Sequence, residues 1–144
     1  MLLGLLAILV VSFVSMRRGS NFEYCALNLR RISMALKSGD LPASPKWDAF
    51  GTGRAFLANH PEWPTRQKPD LDLTCPVRGR ADDIDYRGPA LPPTRMRNED
   101  PFCADRVGNH GPGKGGYVML KSGEILAAVE QDPLWLRAAQ TTSD

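Results

Sequence analysis

Hydrophobic and polar positions follow several different rhythms along this chain, and each rhythm implies a different element. The opening stretch, MLLGLLAILVVSFVS, carries no charge and is ended by Arg17-Arg18. Such a run, apolar on every side, makes a helix of roughly 24 Å, a little short of the ~30 Å hydrocarbon core of a bilayer. Residues 1–18 are therefore expected to form a membrane anchor helix. A cleaved signal peptide is the main rival, but no basic stretch precedes the run and no small-x-small site precedes Arg17. Arg17 and Arg18 alone would hold the following residues on the cytoplasmic side.

The rhythm then changes. In FEYCALNLRRISMALKSG, the apolar residues Phe22, Cys25, Leu29, Ile32 and Leu36 recur at steps of three and four, while Arg30, Arg31 and Ser33 fall elsewhere. That is one apolar face of a helix. Ser20 and Glu23 have capping-box spacing, and Gly39 is a natural stop. The amphipathic helix is expected over 19–39, its apolar stripe packed on a sheet.

From residue 40 onward the helical period is lost. Eleven of the twelve prolines lie between Pro42 and Pro112, among Gly, Asp and Arg. This composition predicts loops, turns and short strands, with a short helix from about Gly53 toward His60. Near the end, Tyr117 to Lys121 and Glu124 to Val129 flank Ser122-Gly123. The pattern predicts a hairpin with a two-residue turn, pairing Lys121 with Glu124, Leu120 with Ile125 and Met119 with Leu126. Both faces of this hairpin carry apolar residues, so it should have cover on each side. Residues 40–144 are expected to form a loop-rich antiparallel sheet domain with a short C-terminal helix. The fold class is α+β.

Charge and candidate chemistry change this picture little. The net charge of +2 is small and the basic residues are scattered, which gives no basis for a nucleic-acid partner. Gly111-Pro112-Gly113-Lys114-Gly115-Gly116 has the look of a phosphate loop. Lys114, however, is followed by Gly rather than Ser or Thr, and then by strand-forming residues rather than a helix. A nucleotide site needs both features, so none is expected. His60 and His110, the two histidines, lie in no metal-helix spacing, and no nucleophile elbow occurs. No enzymatic activity is expected. Asp82, Asp83 and Asp85 could offer hard oxygens to calcium, although a solvated turn accounts for them as well.

The order of the parts resembles the type IV pilin and pseudopilin superfamily. It is most similar to bacterial pilin-like proteins with a prepilin-type N-terminus and a C-terminal His-x9-Asp-Gly motif. Cys25-Ala-Leu-Asn28-Leu29-Arg-Arg-Ile-Ser-Met-Ala-Leu carries the first part of the likeness. LTCPVRG, around Cys75, carries the second. His110 followed by glycines, an apolar strand and Ser122-Gly123 carries the third. Eleven residues rather than nine separate His110 from the turn, and Ser122 stands where the motif has Asp. The basic leader and the early glutamate of the family are not seen; aligned on Cys25, the chain would start some ten residues inside a mature pilin, which implies either a misassigned start codon or a divergent member that cannot be processed.

The resemblance implies a pilin-like fold, a single-pass inner-membrane protein with its domain in the periplasm, and as partners the membrane, other pilin-like subunits or secretion and pilus machinery. The function it implies is a structural subunit of a type IV pilus or type II secretion filament. Two alternatives stand beside it: a membrane-tethered binding module that never polymerises, and a small metal-binding protein using Cys103, Asp105 and His110, with Cys75 completing four ligands. In an oxidising compartment a Cys75–Cys103 disulfide is expected instead, leaving Cys25 as a small hydrophobe on the helix face.

Overall fold

A computed structural model describes residues 22–36, 45–59, 73–75 and 84–143. The expected anchor over 1–18, and Ser20, Gly39, His60, Asp82 and Asp83, lie outside the described residues. Among the described residues, no helix is long and apolar enough to cross a membrane.

The amphipathic stretch is helical over 22–36 (α1). Cys25, Leu29, Ile32 and Leu36 are buried as the three–four spacing predicts, together with Asn28, Ser33 and Ala35. Ser33 departs from the expected surface position. Its hydroxyl reaches the Gly123 carbonyl at 3.3 Å, so it faces the sheet. The proline-rich part gives a 3-10 turn over Pro45–Phe50, a short helix α2 over Gly53–Asn59 and a second 3-10 turn over Pro93–Arg95.

Five short strands form one antiparallel sheet: β1 Tyr86–Pro89, β2 Pro101–Asp105, β3 Gly116–Leu120, β4 Ile125–Ala128 and β5 Thr142–Ser143. Their order is β4-β3-β2-β1-β5. The first four strands make a meander. Helix α3, Pro133–Thr141, then carries the chain back so that β5 can pair with the far edge of β1. The Asp132 carboxylate caps α3 by accepting the Leu134 N–H at 2.8 Å, and Pro133 sits where a missing N–H costs nothing.

Alternation along β3 divides the core in two. Tyr117 and Met119 face α1, among Leu29, Ile32, Leu36, Phe56, Leu57, Tyr86 and Phe102. Val118 and Leu120 face α3, among Ala104, Ala128, Trp135 and Ala138. The expected cover on both faces is present. Strand β2 breaks the alternation. Its register shifts so that Pro101 opposes Leu120 and Cys103 opposes Met119. Two steps on one strand against one on the other is a bulge, and it turns both Phe102 and Cys103 toward α1.

The hairpin forms, but its register differs from expectation by one residue. Met119 pairs with Ile125 and Val118 with Leu126. Leu120 donates its N–H to the Glu124 carbonyl at 2.8 Å, and Gly123 donates back to Leu120 at 2.8 Å. Lys121, Ser122 and Gly123 thus form a three-residue loop with Gly123 at φ 86°, a geometry as well suited to Gly as the two-residue turn. Lys121 is not drawn to Glu124: its Nζ donates to the Met96 carbonyl at 2.6 Å.

Candidate functional site

The chemistry-bearing side chains collect where the first turns of α1 lie over the ends of β1, β2 and β3. Asp105 ends β2, and its side chain is withdrawn from solvent. One carboxylate oxygen accepts the Tyr117 N–H at 2.8 Å. The same oxygen lies 3.0 Å from Nε2 of His110, five residues further on, whose side chain is only 2% exposed. Tight turns through 106–111 bring His110 back, with Asn109 bonded to Arg106 and Gly111 to Gly108. Phe22 of α1 closes the top, its ring 4.5 Å from the His110 ring and 4.8 Å from Tyr117.

The close approach depends on Gly116. A Cβ there would lie 2.6 Å from the Asp105 carboxylate, and one at Gly115 would lie 2.1 Å from the Ala128 carbonyl. This half of the glycine stretch is packed against β2 and β4. The other half is open, with nothing within 4 Å of a Cβ at Gly111 or Gly113. Strand β3 begins at Gly116, two residues after Lys114, and a phosphate loop would place a helix there.

Under the imidazole lie two sulfurs. Cys25 Sγ, on α1, is 3.2 Å from Cys75 Sγ, and both residues are wholly buried. A ring nitrogen of His110 and these two sulfurs lie within 4.8 Å of one another. Cys75 is held by its surroundings. Its N–H donates to the Asp85 carboxylate at 2.9 Å, Asp85 donates its own N–H to Leu73, and Asn28 of α1 reaches the Thr74 carbonyl at 3.3 Å. Asp85 also anchors the histidine loop, since its carbonyl accepts from the Asn109 side chain at 2.7 Å and from the Arg106 N–H at 3.0 Å.

Burial sets the titration of these groups. Cys25 is pushed far above the usual thiol range by its hydrogen bond with Cys75 and by burial, and the Tyr86 phenol is pushed up chiefly by burial. For His110, burial favours the neutral ring, but the hydrogen bond and negative charge of Asp105 outweigh it and the net shift is upward.

The expected residues sort as follows. Asp105 and His110 come together with Cys75, but Cys25 stands in the place assigned to Cys103. Cys103 sits on β2 in the sheet-facing core, with burial raising its thiol, and no disulfide joins it to Cys75. The bulge turns Cys103 toward Met119 and Phe102, whereas Asp85 and Asn28 hold Cys75 against α1. The Cys75–Cys103 bridge is therefore replaced by a Cys75–Cys25 contact. Asp85 is buried and binds backbone, so it does not present the exposed carboxylate that a calcium loop would use. Ser122 and Gly123 lie in the β3–β4 loop beside Ser33. Tyr86 and Arg87 were not marked by the sequence. The Arg87 guanidinium packs 5.1 Å over the Trp135 ring, and its Nε donates to the Asp105 carbonyl at 3.2 Å. Comparison with known protein families, curated proteins and solved structures gives no match.

Proposed function

We propose that this chain is a membrane-anchored, pilin-like or pseudopilin-like structural subunit. Residues 1–18 form its single inner-membrane anchor, its sheet domain lies in the periplasm, and it packs against copies of itself through α1. One observation supports this most. The face of α1 turned away from the sheet carries Tyr24, Leu27 and Met34, exposed by 53%, 38% and 61%. Their spacing of three and seven residues keeps them on one stripe, and the uncharged run lies just upstream in the sequence. A helix apolar on both sides is suited to two partners, its own sheet and a neighbouring helix.

Beside this stripe lies an open groove of about 620 Å³ bordered by Glu23, Leu27, Arg30, Tyr117 and Ile125. Its occupant in this reading is α1 of a second copy. Glu23 and Arg30 are both exposed and seven residues apart. Pairing Glu23 of one copy with Arg30 of the next would stagger neighbours by about 10 Å along the helix axis.

The test places a photo-crosslinking residue at Leu27 or Met34 of the full chain in membranes. Products at multiples of the subunit mass are expected, reduced by Glu23→Arg and restored by adding Arg30→Glu. Recovery of the chain from the soluble fraction would overturn the proposal. So would crosslinks to a single different protein, the result expected of a membrane-tethered module that never polymerises.

A further inference from the structure

We infer that Cys25 and Cys75 are joined by a disulfide in the mature protein, a covalent staple between α1 and the segment leading to the sheet. The inference stands on the cysteine geometry and does not require that the chain polymerises.

The two sulfurs approach to 3.2 Å although they are 50 residues apart in sequence. A bond of ~2.05 Å asks for roughly 1 Å of further closure, within the reach of small side-chain rotations. The approach is fixed from both sides. Asn28, one helical turn from Cys25, bonds to Thr74, the residue before Cys75. Asp85 holds the Cys75 N–H. These polar contacts place the second thiol independently of any bond between the sulfurs, so the bond forms between groups already positioned.

Metal binding is the competing use of the same atoms, since a ring nitrogen of His110 and the two sulfurs lie within 4.8 Å of one another. Two features weigh against it. His110 is tied to Asp105 and packed under Phe22, which resists the shift needed to bring it in. The sulfurs are closer to each other than a shared tetrahedral ion would set them, at roughly 3.8 Å from the same bond lengths.

The reaction balances with a disulfide oxidant. One thiol loses its proton and attacks a sulfur of the oxidant, giving a mixed disulfide and releasing one oxidant thiol. The second thiol then loses its proton, attacks the protein sulfur and expels the other oxidant thiol. Two protons and two electrons leave the protein in all. Because both cysteines are wholly buried, attack on the oxidant takes place before α1 docks. Once α1 has docked, reductants are shut out.

The full chain, refolded with oxidised glutathione, is denatured and alkylated with and without prior reduction. The expected result is one alkylated thiol without reduction, assigned to Cys103, and all three after reduction. Non-reducing digestion should give a linked peptide pair containing Cys25 and Cys75, about 2 Da lighter than the sum of the two thiols. Cys103→Ser should leave that pair intact. Three alkylatable thiols after oxidative refolding, a bridge that includes Cys103, or zinc retained in the folded protein through a chelator wash would each overturn the inference. Should Cys103→Ser fail to fold, the thiol count and the linked peptide pair from the unmutated chain still decide the matter.

Discussion

His110 returns to Asp105 across five residues, and the two side chains meet at 3.0 Å with almost no solvent contact. This pairing ties the loop after β2 to the strand it has just left. It also places an ionisable ring where its charge state matters to stability. In the folded protein the His110 pKa is raised, because Asp105 outweighs the effect of burial. A raised folded-state value means that protonation favours the fold. The stabilisation is fully present below the ordinary imidazole value of about 6.5 and is lost as pH rises through the folded value. The melting temperature of the described domain should therefore fall as pH rises above about 6.5. Asp105→Asn should flatten that slope and lower stability throughout, by about 1–3 kcal/mol for a buried charged hydrogen bond. A slope unchanged in Asp105→Asn would show that another group sets it.

The glycine stretch should divide sharply under alanine substitution. Gly116→Ala drives a Cβ into the Asp105 carboxylate and is expected to cost about 1–3 kcal/mol as overpacking. Gly111→Ala meets open space but keeps a positive φ of 98°, at about 1–2 kcal/mol. Lys114→Ala should be silent. Chemical denaturation ranks the three. Only Gly116→Ala should also change the pH dependence, since it alone displaces Asp105. If Lys114→Ala proves the costliest, the loop has a role beyond packing.

Trp135 fills the face of the sheet opposite α1, buried among Ala104, Val118, Leu120 and Ala138. Trp135→Ala should cost about 3–5 kcal/mol. The loss should exceed that of Trp135→Phe, which keeps most of the packing and a weaker ring for Arg87. Urea titration of both variants measures the difference. Near-equal losses would mean that a phenyl ring recovers none of this packing and that the indole is specifically required.

Much of the fold can be read from local pattern. Cys25, Leu29, Ile32 and Leu36 announce α1 by spacing, and Lys121-Ser122-Gly123 announces a hairpin. The register slipped because Lys-Ser-Gly suits a two-residue loop as well as the three-residue loop observed. Ser33 was misplaced because its burial depends on a carbonyl 90 residues away. Strand β2 was hidden by its proline and its bulge, which put adjacent Phe102 and Cys103 on one face. The candidate site was half visible. His110 and Asp105 are close in sequence and could be grouped. The partner of Cys75 could not be chosen, because Asp85 and Asn28 decide where that segment lies and neither residue signals the contact locally.

The order of strands leaves β4 at an edge of the sheet. Its sequence, Ile125-Leu-Ala-Ala-Val129, is uncharged for five residues and bounded by Glu124 and Glu130. An exposed edge of this kind invites a second molecule to continue the sheet. Two copies aligned antiparallel about Ala127 would set Glu124 of each against Glu130 of the other. Like charges directly opposite destabilise such a pairing. The glutamates thus act as sentries on the backbone edge, closing the route to indiscriminate aggregation through β4.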